Sequence, residues 1–337
     1  MKAVRLNEIG GPGNLRVETI DDPVPGMGEI LVRVKRAAFN RRDVFITQGL
    51  YPGIALPRTL GSDGAGEVAA LGPDAGGPAV GTPVVIDPML DWGADSAVWD
   101  SKASSILGMP HDGTFAEYVV VPAANVHPKP AHLSDNEAAA IPLAGLTAYR
   151  ALVTRGRITR DDVVLITGIG GGVQTFALLF AAYMGARTIV TSSSDEKLQR
   201  AKTMGADVTI NYNTSDAWAK DARSAAGGGG PSLIIDSAGG ETFAQCLDIA
   251  RPGARIVTYG GTVPKANVRL FSIFWKHLDI LGTSMGSPED FAGMLALFSE
   301  GKLKPAVDDV VAMDDVVAGA ERMNSSKQFG KIVLAIE

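Results

Sequence analysis

The chain has 337 residues, of which 46% are hydrophobic and 20% charged, with a formal net charge of −6. That length allows two domains with cores of their own, and the acidic balance without a basic tract argues against nucleic acid as a partner. A single cysteine excludes an internal disulfide and a cysteine-built zinc site.

The opening MKAVRLNEIGGPG lacks the apolar core of a secretory signal, and the apolar stretch Gln174 to Met184 is too short to span a bilayer. A cytoplasmic location with no membrane partner is therefore expected. From Met1 to about Pro130 the chain runs as short β-like segments (MKAVRL, LRVETI, GEILVRVKRAAF, GAGEVAALG, TPVVIDP, GTFAEYVVV) broken by Gly and Pro. Such spacing predicts a small β-barrel or sandwich. Between Asp87 and Asp112 an irregular stretch with Trp92 and Trp99 is long enough for a functional lobe or a flexible loop, and a structural role is expected of it.

At Ser134 the character changes to alanine-rich helix, opened by a capping box from Ser134 to Glu137. Beyond it lies the most informative stretch. Val163 to Thr167 reads as a buried strand, Gly168, Gly170, Gly171 and Gly172 crowd a tight turn, Gln174 to Met184 reads as a helix, and Arg187 to Thr191 as a second strand. This βαβ unit predicts a dinucleotide site, because glycines let backbone approach the pyrophosphate and the helix start offers unpaired N–H groups. Gly168 and Gly170 fit G-x-G-x-x-G, with Val173 at its third position; in the shifted variant Gln174 stands where the last glycine would be. A looser helix contact with the sheet is expected.

The second strand bears on the cofactor. An NAD-type site places Asp or Glu about 20 residues past the fingerprint to accept from the ribose 2′-OH. Here the strand ends Thr191, Ser192, Ser193, Ser194, with Lys197 following in the next helix. Hydroxyls and an amine suit a 2′-phosphate, so NADP(H) is expected, held in part by Ser192, Ser193 and Lys197. Further strands alternate with helices through VTINY, SLIIDSAG and RIVTYGG, the doubly wound pattern of a parallel sheet. Gly260 and Gly261 end one such strand, where the nicotinamide half would need small neighbours. Cys246, in the helical TFAQCLDIA, is expected in the core.

The stretches MKAVRLNEIGGPGNLRVE, AAFNRRDVFITQGLYP, GSDGAGEVAALG, GTFAEYVVVPAANV, AAIPLAGLTAYRAL, GIGGGV and GKIVL together resemble the medium-chain dehydrogenase/reductase superfamily, in its zinc-independent branch related to quinone oxidoreductases. The resemblance implies an α/β protein with a GroES-like β-barrel domain over residues 1–130 and 271–337 and a doubly wound Rossmann domain over 131–270. It implies a cytosolic homodimer paired through an edge strand, for which LDILGTSM is the expected seam. It also places Asn40, Ser62 and Leu143 where zinc-dependent relatives carry Cys, His and Cys ligands, and the histidines His111, His127, His132 and His277 are scattered; no metal is expected.

Without a Lewis acid, hydride transfer from the cofactor would depend on positioning and on charge stabilisation at the acceptor. A quinone or an α,β-unsaturated carbonyl suits that chemistry. The resemblance assigns the acceptor side to the NxxD pair Asn40 and Asp43, to Phe45 where relatives often carry tyrosine, and to Thr147 beside the nicotinamide carboxamide; it sets Tyr212 near the adenosine phosphate. Asn40 reads equally well as a turn residue ending its strand, and Tyr51 as a pocket or packing aromatic. The alternatives are an alcohol dehydrogenase-type carbonyl reductase and a non-catalytic NADPH-binding sensor.

Overall fold

A computed structural model describes residues 1–336. The chain divides into two compact units, Met1–Ala144 together with the chain from Ser287 on, and Gly145–Gly286.

The first unit is built on β-strands. Its larger sheet runs Val126–Pro128, Pro83–Ile86, Asp63–Leu71, Glu29–Ala38, Lys331–Ala335, Val307–Ala312, with Tyr118–Pro122 also paired to Glu29–Ala38. In Glu29–Ala38 alternate residues Ile30, Val32 and Val34 are buried, the period of a strand with one face on a core. Each such burial contributes about 1.5–3 kcal/mol. Glycine recurs in GSDGAGEV because the strands approach closely: a Cβ on Gly66 would lie 1.9 Å from the Arg33 carbonyl oxygen. The Asp87 to Asp112 stretch is tied by a short ladder, Met89–Leu90 with Ser105–Ile106. Trp92 within it is buried and donates its indole N–H to the Asp95 carbonyl (2.8 Å), so this residue packs the stretch rather than lining a pocket.

The second unit is a six-stranded parallel sheet in the order Val208–Asn211, Arg187–Ser192, Val163–Ile166, Leu233–Asp236, Arg255–Thr258, Asp279–Gly282. The central strands VVLI and LIID are buried nearly throughout, as expected where helices cover both faces. The strand order reverses beside Val163–Ile166, and α/β sheets bind ligands at that crevice, beyond the strand C-termini.

Both seams fall later than the sequence predicts. The helix Asp135–Ala140 packs on Asp63–Leu71, Glu29–Ala38 and Lys331–Ala335, which joins it to the first unit. Asp279–Gly282 pairs in register with Arg255–Thr258, which keeps residues 271–286 in the second. The helix Val316–Asn324 and the strand Val307–Ala312 had no distinct sequence signal.

Candidate functional site

The glycine turn follows Val163–Ile166 directly. Gly168 (φ +67°) and Gly170 (φ +139°) hold backbone conformations that favour glycine. The Gly168 N–H donates to Thr191 Oγ1 (3.1 Å) and the Ile169 N–H to the Thr191 carbonyl (2.7 Å), which fastens the turn to the neighbouring strand. The helix Gly172–Tyr183 then starts with Gly171 as a cap that has no side chain to satisfy its first amides. A helix start without a side-chain cap, with its dipole, is an arrangement suited to an anion. Val173 is the second helical residue and is half-buried. Gln174 donates from Nε2 to Ser237 Oγ (3.0 Å); where a glycine would have let the helix settle closer, its side chain bridges to the strand beyond.

Lys197 reaches back over the turn. A methyl group built on Gly170 would lie 2.9 Å from Lys197 Cδ and 3.0 Å from its Nζ. Lys197 is set by its own helix, Asp195–Thr203, whose cap Ser194 accepts from the Lys197 amide (3.3 Å). Ser192 is buried and its hydroxyl accepts from the Ser194 amide (3.2 Å), whereas Ser193 is exposed. Tyr212 is exposed, and its N–H donates to the Ser192 carbonyl (3.1 Å). The turn glycines, Ser192, Lys197 and Tyr212 therefore meet at one rim of the sheet. Gly260 and Gly261 follow the fifth strand, and a Cβ on either would meet only ordinary contacts at 3.6 Å, so nothing in the chain itself demands glycine there. Thr147 is buried in the helix Pro142–Tyr149.

A polar group that sequence reasoning missed sits at the end of Leu233–Asp236. Asp236 is fully buried; it accepts from Thr167 Oγ1 (2.6 Å) and from the Ala238 and Gly239 amides (3.3 and 3.1 Å). Beside it burial pushes the Tyr259 phenol well above its usual range. A carboxylate closing an apolar strand of a parallel sheet was the signal that could have found it. Burial likewise raises the Cys246 thiol, in the core as the helical pattern predicted.

In the first unit Asn40 caps the helix Arg41–Thr47, which carries Asp43 in its first turn and Phe45 in its second. Asn40 is only 6% exposed. Its Nδ2 donates to Asp63 Oδ2 (2.9 Å) and its Oδ1 accepts from Lys331 Nζ (2.7 Å). Asn40, expected either on the acceptor side or as a turn residue ending its strand, caps the helix and has its side chain in a buried network. Lys331 Nζ also donates to Asp63 Oδ2 and to the Phe39 carbonyl, each at 2.7 Å. All three ammonium protons are thus placed, and Asp63 Oδ1 accepts from the Leu143 amide (2.7 Å).

Asp43 takes the Asn40 amide on Oδ2 (2.7 Å), while its buried Oδ1 has no partner. Burial pushes its carboxyl up to about 6 against the pull of the Arg42 guanidinium. Phe45 is the exposed side chain of that helix's core, 38% accessible between buried Val44 and Ile46. Ser62 is buried beneath Arg42, whose Nη1 donates to Ser62 Oγ (2.6 Å). Among the described residues no three His, Cys, Asp or Glu side chains stand together as a metal site, and no helix is long and apolar enough to cross a membrane.

Comparison with known proteins places these features. A model described as an alcohol dehydrogenase GroES-like domain matches residues 26–131, and one described as a zinc-binding dehydrogenase matches 172–300. A zinc-type alcohol dehydrogenase-like protein of Leptosphaeria maculans is 38% identical, with 96% of this chain and 94% of that protein covered. An acryloyl-coenzyme A reductase of Sulfurisphaera tokodaii is 29% identical over 99% of each. A solved NAD-dependent alcohol dehydrogenase superposes with a TM-score of 0.93 at 38% identity, with 100% of both chains covered. A GroES-like unit, a parallel-sheet unit with a glycine turn at its switch point and these relatives establish the chain as an oxidoreductase of the medium-chain dehydrogenase/reductase superfamily, which works with a nicotinamide dinucleotide.

Proposed function

We propose that the protein transfers hydride from NADPH to a quinone or an α,β-unsaturated carbonyl, without a metal, as a homodimer in the cytoplasm. The observation that carries this reading is what fills the positions matching zinc ligands. Asn40 is bound to Lys331 and Asp63, Ser62 is covered by Arg42, and Leu143 brings only an apolar side chain. An ammonium and a guanidinium already stand there, and a divalent cation would have to displace them against their charge.

Residues at the glycine turn fit the dinucleotide. The turn amides and the start of Gly172–Tyr183 would hold the pyrophosphate, and Lys197 with the Ser192 to Ser194 hydroxyls would meet a 2′-phosphate, a preference supported by the lack of a carboxylate at the end of Arg187–Ser192. The bound cofactor supplies hydride, so the protein has to orient the acceptor, exclude water and provide one proton per turnover. Conjugated acceptors suit such a site because reduction leaves an enolate or hydroquinone oxygen that takes up a proton readily. The acryloyl-coenzyme A reductase similarity favours the activated-alkene half of the proposal.

A second reading, an NAD-dependent alcohol dehydrogenase, is favoured by the names of other relatives. Steady-state oxidation of NADPH and NADH with 1,4-benzoquinone, 2-cyclohexen-1-one and a simple ketone separates the two, run before and after exhaustive chelation. NADPH-dependent reduction of the conjugated acceptors that survives chelation is expected. Ketone reduction with NADH that is lost with the metal would replace the proposal by the second reading.

A further inference from the structure

Arg42 is buried yet bonded only to neutral oxygens. Its Nη1 donates to Ser62 Oγ (2.6 Å) and the Leu107 carbonyl (2.8 Å), its Nη2 points at the Ile106 and Met109 carbonyls (3.5 Å each), and its Nε donates to Tyr51 Oη (3.2 Å). The guanidinium carbon also stands 4.8 Å from the centre of the Tyr51 ring. No carboxylate is among its hydrogen-bond partners; the Asp43 carboxyl acts on it only through space, and dipoles and one aromatic ring supply the direct contacts. A buried guanidinium whose donors are held by neutral oxygens is suited to meeting negative charge that develops on a neighbouring oxygen during a reaction.

Tyr51 has the complementary feature. A phenol has one proton to give and lone pairs to receive. Its oxygen receives the Arg42 Nε–H, and among the described residues it donates no hydrogen bond of its own. The ring is half-buried in a loop that returns to the Arg41–Thr47 helix, where the Leu50 amide donates to the Phe45 carbonyl (2.8 Å). Phe45 itself offers no hydroxyl. A hydrogen bond received on the phenol oxygen polarises its O–H and strengthens the bond it gives.

We infer that Tyr51 is the proton donor to the acceptor oxygen and that Arg42 is the positioning residue that aims and polarises it. The inference rests on the proposed reduction of conjugated carbonyls. As the β-carbon of an enone gains hydride, the alkene electron pair moves towards the α-carbon and negative charge collects on the carbonyl oxygen. The Tyr51 O–H bond breaks, its proton passes to that oxygen, and the enol becomes the saturated ketone. The phenolate, stabilised by Arg42, takes its proton back from solvent, so one hydride and one proton are added per turnover.

The test compares wild type, Tyr51→Phe and Arg42→Lys with NADPH and two acceptors. Positioned proton donors contribute at least about 100-fold, so Tyr51→Phe should lower kcat with 2-cyclohexen-1-one by about that factor while KM moves less than about threefold. With 1,4-benzoquinone, whose hydroquinone anion needs far less help, the loss should stay under about threefold. Arg42→Lys, which keeps the charge but loses the Nε–H, should show the same split more weakly. Independently, 4-nitrophenolate, followed by its absorbance on the protein without cofactor, should bind wild type at least about tenfold tighter than Tyr51→Phe. Equal losses with both acceptors, an unchanged enone rate, or equal 4-nitrophenolate binding would each overturn the assignment. If wild type reduces neither acceptor, the proposed function fails by itself, and the nitrophenolate titration still decides on Tyr51.

Discussion

Asp87 offers a stability test that needs no substrate. It is 2% exposed at the end of Pro83–Ile86, and the Met89 amide (3.0 Å) donates to its Oδ1. No cation contributes to its environment, and burial pushes its carboxyl up to about 8. In the unfolded chain an aspartate loses its proton near about 3.9. Between these values unfolding releases a proton, so the protein should lose stability as pH rises from about 4 to 8 and level off above. At about 1.4 kcal/mol per pH unit the penalty is about 2 kcal/mol at pH 5.5, roughly 4 at pH 7 and roughly 5–6 once the folded carboxyl has ionised. Asp87→Asn keeps the acceptor for Met89 and carries no charge at any pH. It should therefore match wild type near pH 4 and exceed it by roughly 4 kcal/mol at pH 7, a rise in Tm of about 8–16 °C for a unit of this size. Scanning calorimetry of both proteins from pH 4 to 9 measures the gap. A gap that does not widen between pH 5 and 8, or a variant less stable than wild type at pH 8, would refute the reasoning.

Three further outcomes are expected. Lys331→Met leaves the Asp63 carboxylate buried without its ammonium and should cost about 3–5 kcal/mol in urea unfolding, most of it recovered when Asp63→Asn is added; no recovery would mean that packing rather than charge dominates. Lys197→Ala should weaken NADPH binding by about 10–100-fold in a fluorescence titration and leave NADH within about twofold, whereas equal losses would place the amine away from a 2′-phosphate. Asp279–Gly282 is an edge strand, with Ile280 exposed on it and Leu270, Phe271, Phe274 and Trp275 exposed on the short helix that precedes it. The double variant Phe271→Asp with Trp275→Asp should convert the proposed dimer to monomer by light scattering, and an unchanged mass would move the interface elsewhere.

What the sequence made legible, and what it hid, follow from the range of the interactions. Val163 to Ser192 could be read because each step is local: a run of β-branched residues, a turn that needs positive φ at Gly168 and Gly170, and a helix whose buried side recurs at helical spacing. The unit boundary could not, because it falls inside the helix Pro142–Tyr149, between Ala144 and Gly145, and a lone glycine within a helical pattern does not mark a boundary. Nor could Arg41 and Arg42 be told apart within NRRD. Arg41 reaches the Asn324 carbonyl and Ser326 at the surface, while Arg42 turns inward to Ser62 and Tyr51. Lys331, in a GKIVL stretch that reads as an edge of a strand, is 2% exposed because its partners Asn40 and Asp63 stand 291 and 268 residues away. The resemblance therefore marked Asn40 and Ser62 as positions of interest but not the distant side chains that hold them. Those side chains are a pair of buried cations with opposite prospects: Lys331 has every proton committed to a fixed oxygen, whereas Arg42 holds its nearest phenol by the oxygen and leaves that phenol's proton uncommitted. Of the two, only the second can respond to charge that appears during turnover, which is why the mechanism is sought at Tyr51 and not at Asn40.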